Sequence, residues 1–233
     1  VKALWDYQIE SLCYWAQYVD GFRCDVASTV PVDFWLAARE AVERVHPGMI
    51  WLGESVHLDH IRTFREHGFY AATDTELFDA FDILYPYDLW PLYEGCTKGA
   101  LPLSRFLDVV DMQEVSFPTE YNKLRCVENH DQTRGAARFP DRASLLVWTA
   151  LSYFMKGTTM LYAGQEVCAA HTPSLFEREP IDWADGPDIS GYLAKLAAVK
   201  KQLPTDEVFH IVADDEQGIV TASYIGPERR AVG

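Results

Sequence analysis

The sequence predicts an α/β fold that is part of a (β/α)8 TIM barrel, covering about its fourth to eighth strands, followed by the start of a small C-terminal β-domain. Three observations support this prediction. Helical and strand patterns alternate along the chain, with crossover lengths that suit parallel pairing. Five such strands are predicted, whereas a closed barrel needs eight. Charged residues also gather at strand ends, where barrel enzymes carry their functional groups. From the pattern alone, an open doubly wound sheet is the alternative.

The predicted strands are short apolar runs that lie between helical segments. They are Phe22–Val26, Met49–Gly53, Tyr70–Asp74, Lys123–Asn129 and Thr158–Gly164. Apolar residues at helical spacing, with capping and stop signals, predict the helices between and around them. These helices end near Gly21, begin at Pro31, cover Leu103–Met112, run from Asp141 to Phe154 and cover Ile189–Gln202.

The domain boundary is predicted where this alternation stops. Residues 1–204 are assigned to the second half of a barrel and residues 205–233 to the start of a C-terminal β-domain, because "GIVTASYIG" alternates like an antiparallel strand. The chain lacks an initiator methionine and begins inside a helical pattern, and its first residues do not resemble a signal peptide. We therefore expect a piece of a longer protein that carries the missing N-terminal half of the barrel.

Composition narrows the class of partner. The net charge of −15 disfavours nucleic acid and anionic membranes but not a neutral sugar. The sequence has no apolar run long enough to predict a membrane span. The five cysteines include no C-x-x-C pair, so they are interpreted as buried thiols of a reducing compartment. A cytoplasmic protein is expected, and an extracellular one is left open because an export signal could precede this piece.

The charged residues at three strand ends predict a sugar-cleaving pocket. Arg23 and Asp25 lie two residues apart, hence on one face of the first strand. Glu54 follows the second strand, and His130 and Asp131 follow the fourth. Glycoside cleavage with retention needs one carboxylate as nucleophile and another carboxyl as acid and then base. An arginine keeps the nucleophile ionised, and a third carboxylate can stabilise a positively charged transition state.

Each signal also has a simpler structural explanation. Arg-x-Asp is often an ion pair, a glutamate at a strand end often caps a helix, and Asn-His-Asp favours a turn. The group His57, Asp59 and His60 has the look of a metal cluster but lies at the start of a short helix, so no metal site is predicted. Most of the aromatic residues from Phe78 to Tyr93 are assigned to the core or to a lid, with stacking on sugars as the alternative. Because these charged residues occur together at three strand ends, a catalytic function is favoured over the separate structural explanations.

Three of these motifs resemble conserved regions of the α-amylase family, glycoside hydrolase family 13: "DGFRCDVAS", "WLGES" and "VENHD". "GTTMLYAGQE" is similar to its last barrel strand, and the resemblance runs to about residue 205. It implies a retaining hydrolase acting on the α-glucosidic bonds of starch-like α-glucans or maltooligosaccharides. It further implies Asp25 as nucleophile, Glu54 as general acid/base and Asp131 as stabiliser of the transition state. Arg23 would orient Asp25, and His130 would bind the sugar.

The sequence also departs from the family pattern. Ser28 and Thr29 stand where many α-amylases have Lys-His, so whether the protein binds calcium is left open. No other cofactor is predicted. Tyr162 and Gln165 are expected to support the top of the barrel. A family region with an Asp and a His would precede residue 1, so the 233 residues alone are expected to be inactive. The alternatives are a glucanotransferase or isomerase of the same family, or a non-catalytic carbohydrate-binding relative.

Overall fold

A computed structural model describes residues 1–226 and 230–232. The chain divides into two compact units. The first unit contains Val1–Pro91 and Val115–Lys123, and the second contains Leu92–Glu114 and Leu124–Gly233. No helix in the described part of the chain has the length and apolar character needed to cross a membrane.

The first unit is built on a parallel sheet with the strand order β1-β2-β3. Its strands are β1 (Gly21–Cys24), β2 (Ile50–Gly53) and β3 (Ile83–Leu84). Its helices are α1 (Lys2–Trp15), α2 (Val32–Glu43), α3 (Leu58–Glu66) and α4 (Asp74–Leu77). Cys24 pairs with Gly53, and Gly53 pairs with Leu84, so the carboxyl ends of the three strands lie side by side.

The core of the first unit lies between this sheet and helices α1 and α2. Cys24, Trp35, Ala38 and Trp51 are all buried in one apolar cluster there. Because side chains alternate along a strand, Cys24 faces this core while its neighbour Arg23 points to the opposite face of the sheet. Cys24 is therefore on the helix-facing side of the sheet and Arg23 on the other side.

The third strand lies elsewhere than predicted. The prediction of a strand at Tyr70–Asp74 is wrong, because the strand that pairs with β2 is Ile83–Leu84. The reason is local: Thr73 and Glu76 form a capping box in which Glu76 Oε2 accepts the Thr73 N–H at 2.7 Å. This box starts helix α4 at Asp74, so the preceding residues lead into a helix instead of forming a strand.

The second unit contains a short parallel pair and an antiparallel sheet. The pair is β4 (Leu124–Arg125) and β5 (Thr158–Thr159), and the sheet is β6 (Val208–Asp214), β7 (Ile219–Ile225) and β8 (Arg230–Val232). The helices that lie wholly or largely in it are α5 (Trp90–Thr97), α6 (Leu103–Ser116), α7 (Gly135–Arg138), α8 (Arg142–Phe154) and α9 (Ser190–Lys200).

Several predictions for this unit are confirmed, although its parallel strands are shorter than expected. The Asp141 side chain caps α8 by accepting the Ser144 N–H at 2.7 Å. The antiparallel strand predicted from "GIVTASYIG" is β7. Residues 227–229 and 233 of the expected β-domain lie outside the described residues, and the boundary at residue 204 stays a prediction.

The five cysteines are free thiols, but the expectation that they are buried holds only for two of them, since Cys13, Cys96 and Cys168 are partly exposed. Cys24 in the first unit and Cys126 in the second are buried. Burial raises the pKa of each of these two thiols to about 12. At neutral pH both are therefore small, unreactive core residues.

Candidate active site

The first unit brings together three of the predicted site residues: Arg23, Asp25 and Glu54. Arg23 Nη2 lies 2.8 Å from Glu54 Oε1, and Arg23 Nη1 donates a hydrogen bond to Asp25 Oδ1. The parallel register continues past both strands, since the Glu54 N–H donates to the Cys24 carbonyl at 2.9 Å. The residues that follow β1 and β2 are therefore neighbours, and one guanidinium bridges both carboxylates.

The two carboxylates have different surroundings. The side chain of Asp25 is 77% exposed, whereas that of Glu54 is 9% exposed. Glu54 is held on both oxygens, because Oε2 also accepts the Val26 N–H at 2.8 Å. The arrangement thus offers one accessible carboxylate beside one that is buried and fixed.

The turn after β1 depends on an unusual backbone conformation. Val26 has φ 45° and ψ 42°, in the left-handed region that β-branched residues rarely occupy. This conformation directs the Val26 N–H at Glu54. The turn is secured further by Trp35, whose Nε1–H donates to the Ala27 carbonyl at 3.1 Å. Strain of this kind is commonly found at functional sites.

Ser28 and Thr29, which depart from the family pattern, serve this turn. Ser28 is fully buried, and its Oγ accepts the Val56 N–H at 3.2 Å. Thr29 Oγ1 donates to the Val26 carbonyl at 3.0 Å. Both hydroxyls therefore fix the segment that carries Asp25.

No group of three His, Cys, Asp or Glu side chains within residues 1–226 and 230–232 could hold an ion. His57 and His60, which were considered as metal ligands, stack on aromatic rings. His57 stacks on Tyr87 with centroids 4.9 Å apart, and His60 stacks on Phe64 at 4.5 Å.

Tyr85 contacts the site and was missed by sequence reasoning, which assigned it with other aromatic residues to the core or a lid. It is 4% exposed and directly follows β3, as Glu54 follows β2. The Arg23 Cζ lies 5.2 Å from the centroid of the Tyr85 ring, within the range of a cation–π contact. Burial works to lower the pKa of Arg23, but the side chains of Tyr85, Asp25 and Glu54 outweigh it and raise that pKa.

A buried lysine lies behind Tyr85. Lys123 Nζ is 2.5 Å from Asp74 Oδ2, 2.8 Å from Asp88 Oδ1 and 2.6 Å from the Tyr85 carbonyl oxygen. Its side chain is 0% exposed. The pKa of Asp74 is raised because its burial and the charge of Asp88 outweigh the attraction of Lys123. This network ties the segment after β3 to the interior of the first unit.

The remaining predicted site residues belong to the second unit. His130 Nε2 lies 3.1 Å from Asp131 Oδ2, and the Asp131 N–H donates to Asn129 Oδ1 at 3.0 Å. Their side chains are 38% and 33% exposed, so both are accessible to a ligand. The roles assigned to His130 and Asp131 stay predictions.

The residues expected to support the barrel top pack inside the second unit. The Arg134 Cζ lies 4.2 Å from the Tyr162 ring centroid, and Arg134 Nη1 pairs with Glu128 at 2.8 Å. Gln165 is buried in the short 3-10 turn that follows. The supporting role expected for Tyr162 and Gln165 stays a prediction.

Comparisons with known proteins identify relatives along the whole chain, although no family model matches it. The crystal structure of an alpha-amylase from Lactobacillus plantarum is 35% identical with a TM-score of 0.95; the match covers 100% of this chain and 55% of that one. A maltogenic alpha-amylase from Thermotoga neapolitana is 30% identical with a TM-score of 0.80, covering 99% of this chain and 52% of that one.

Among curated proteins, an alpha-amylase of Haloarcula japonica is 26% identical over 159 residues, which are 68% of this chain and 22% of that protein. The chain thus spans about half the length of the solved relatives described above and less of this curated one. The agreement with the solved structures supports part of a TIM barrel over an open doubly wound sheet.

Proposed function

This chain belongs to the α-amylase family, and from that premise we propose that it carries the nucleophile and the acid/base of a retaining glycoside hydrolase. The proposed substrates are starch-like α-glucans or maltooligosaccharides. One observation carries the proposal: Arg23 pairs with both Asp25 and Glu54 at the ends of neighbouring parallel strands. This arrangement supports the proposal of a carboxylate nucleophile beside a second carboxyl, with a cation between them at one edge of the sheet.

In the first proposed step, Asp25 attacks the anomeric carbon while Glu54, which must carry a proton when the substrate is bound, donates that proton to the glycosidic oxygen. The bond to the leaving sugar breaks, and an ester bond forms between Asp25 and the remaining sugar. In the second step, Glu54 takes a proton from water, whose oxygen attacks the anomeric carbon and breaks the ester. Two inversions give net retention, and neither step uses a cofactor.

The two residues of the second unit keep the roles that the family resemblance implies. We propose that Asp131 stabilises the positive charge of the transition state and that His130 binds sugar hydroxyls. Their mutual contact at 3.1 Å and their accessibility support hydrogen bonding to a polar ligand. Asp131→Asn in the full-length protein should lower kcat far more than it raises KM, because the charge is needed mainly in the transition state.

The test uses the full-length protein that contains this chain, with maltoheptaose as substrate. Asp25→Asn should lower kcat by at least about a thousandfold, since it removes the covalent route. The matched control is Asp20→Asn, an exposed aspartate just before β1, which should stay within about twofold of wild type. Near-normal hydrolysis by Asp25→Asn would mean that another residue is the nucleophile.

Two further measurements separate the alternatives. A 5-fluoroglycosyl fluoride should label wild type covalently, and the added mass should lie on the peptide that contains Asp25. Product analysis then distinguishes hydrolysis from transfer, because a glucanotransferase would form longer oligosaccharides through the same intermediate. A wild-type protein that binds maltooligosaccharides but neither labels nor turns over would be the non-catalytic relative.

A further inference from the structure

We propose that Tyr85 is a positioning residue for this site: it holds the Arg23 guanidinium in the place where it bridges Asp25 and Glu54. The inference rests on the proposed function, because Tyr85 would act on the reaction only through Arg23. It assigns a role to a residue that directly follows β3, beside those that follow β1 and β2.

The contacts of the guanidinium give the first argument. Among the described residues, Arg23 contacts three side chains: Asp25 and Glu54 through ion pairs and Tyr85 through its ring face. An arginine on a flexible stem could satisfy either carboxylate alone. The aromatic face at 5.2 Å adds a neutral contact that favours the position between them.

The rigidity of Tyr85 gives the second argument. Its N–H donates to the Gly53 carbonyl at 3.1 Å, and its carbonyl accepts from Ser55 Oγ at 3.0 Å and from Lys123 Nζ at 2.6 Å. Gly53 and Ser55 are the two neighbours of Glu54 along the chain. Tyr85 is therefore tied to the segment that carries one carboxylate while its ring supports the cation that pairs with both.

The proposed chemistry gives the third argument. When Asp25 becomes an ester in the first step, its negative charge disappears and its ion pair with Arg23 weakens. The charge on Arg23 does not change, because a guanidinium keeps its proton. The Tyr85 ring is neutral throughout, so it is the contact that stays constant and keeps Arg23 in place between the two steps.

The test is a double-mutant cycle in the full-length protein with maltoheptaose as substrate. Tyr85→Leu should lower kcat about tenfold, the size of a partly desolvated cation–π contact, while KM stays within about twofold. Tyr85→Phe keeps the ring and should restore kcat to within about threefold of wild type. In an Arg23→Met background, which has no cation to lie over the Tyr85 ring, Tyr85→Leu should change kcat by less than about twofold, because the contact it removes is already lost.

The matched control is Tyr121→Leu. Tyr121 is 3% exposed in the same unit and packs on Phe78 and Phe117. The Tyr121→Leu substitution should leave kcat within about twofold of wild type.

Three outcomes would overturn the inference: an unchanged kcat in Tyr85→Leu, an equal loss in Tyr85→Phe, or the same tenfold loss in the Arg23→Met background, which a general packing role would give. A failure of the proposed function looks different, because wild type would then be inactive or Asp25→Asn would remain active. In that case the positioning role is overturned together with the function.

Discussion

Replacing Lys123 by methionine should strongly destabilise the protein at neutral pH. The change keeps an unbranched side chain, one atom shorter, but removes the cation that faces Asp74, Asp88 and the Tyr85 carbonyl. The side chains of the two aspartates are only 6% and 11% exposed, so water cannot replace the lost partner. Removing one member of a buried ion pair typically costs about 3–5 kcal/mol, and we expect a loss of that size.

The loss of folding stability in Lys123→Met should grow as the pH rises. Burial raises the pKa of Asp74 when the protein folds, and Lys123 counteracts that rise. A carboxyl whose pKa is higher in the folded state binds its proton more tightly there, so stability falls as pH rises above the ordinary aspartate pKa of about 3.9. Without Lys123 the pKa of Asp74 rises further. The difference in the free energy of unfolding between wild type and Lys123→Met should therefore be larger at pH 7 than at pH 5.

The assay is urea unfolding of the full-length protein followed by tryptophan fluorescence at both pH values. The matched control is Lys98→Met, which removes a lysine that is 63% exposed and paired with Glu94. An exposed pair contributes little, so this control should change the free energy of unfolding by about 0.5 kcal/mol or less. A loss below about 1 kcal/mol in Lys123→Met, or a loss equal at both pH values, would refute the reasoning.

Three further predictions concern packing, capping and thiol reactivity. Gly53→Ala would place a methyl carbon 2.8 Å from a buried leucine side chain, so urea unfolding should show a loss of about 1–3 kcal/mol; unchanged stability would contradict this. Asp141→Ala removes the cap on the Ser144 N–H and should lower the urea midpoint of unfolding, whereas Asp141→Asn should retain most of the stability. Cys24 and Cys126 should react with a thiol reagent at pH 8 only after unfolding, because burial raises their pKa to about 12. Labelling of either thiol in the native protein at the rate of an exposed cysteine would contradict that.

The first-unit part of the site could be predicted because it depends on where two strands end. Strands β1 and β2 are apolar runs followed at once by polar residues, and a parallel register brings such ends together. Arg23, Asp25 and Glu54 therefore follow from sequence position alone. The left-handed turn at Val26 does not, because valine disfavours that conformation and only the surrounding contacts impose it.

Tyr85 was missed because the third strand was misplaced. Strand β3 has only two residues, Ile83 and Leu84, too few to show alternation. The segment at Tyr70–Asp74 has a stronger apolar pattern but leads into a capping box. Had the strand been placed at its actual position, the same strand-end rule would have indicated Tyr85.

The pairing of Lys123 with Asp74 has no local signature in the sequence. The two residues lie 49 positions apart, and each is individually a residue type expected at the surface. Their burial together follows from the tertiary fold, in which the Lys123 backbone bridges Leu84 in parallel.

The backbone at Val26 also bears on engineering this chain for thermostability. A β-branched residue held there costs about 1–3 kcal/mol, so a redesign that scores backbone preference alone would choose glycine. Glycine would also let the peptide plane reorient, and the N–H that now points at Glu54 would lose its constraint. Such a variant should turn over more slowly. It should gain little stability, because the relief of strain is offset by the loss of the Val26 side chain from its packing on Val56, Ile61 and Ala71. Stabilising substitutions are better sought on the exposed faces of the helices, with position 26 left as it is.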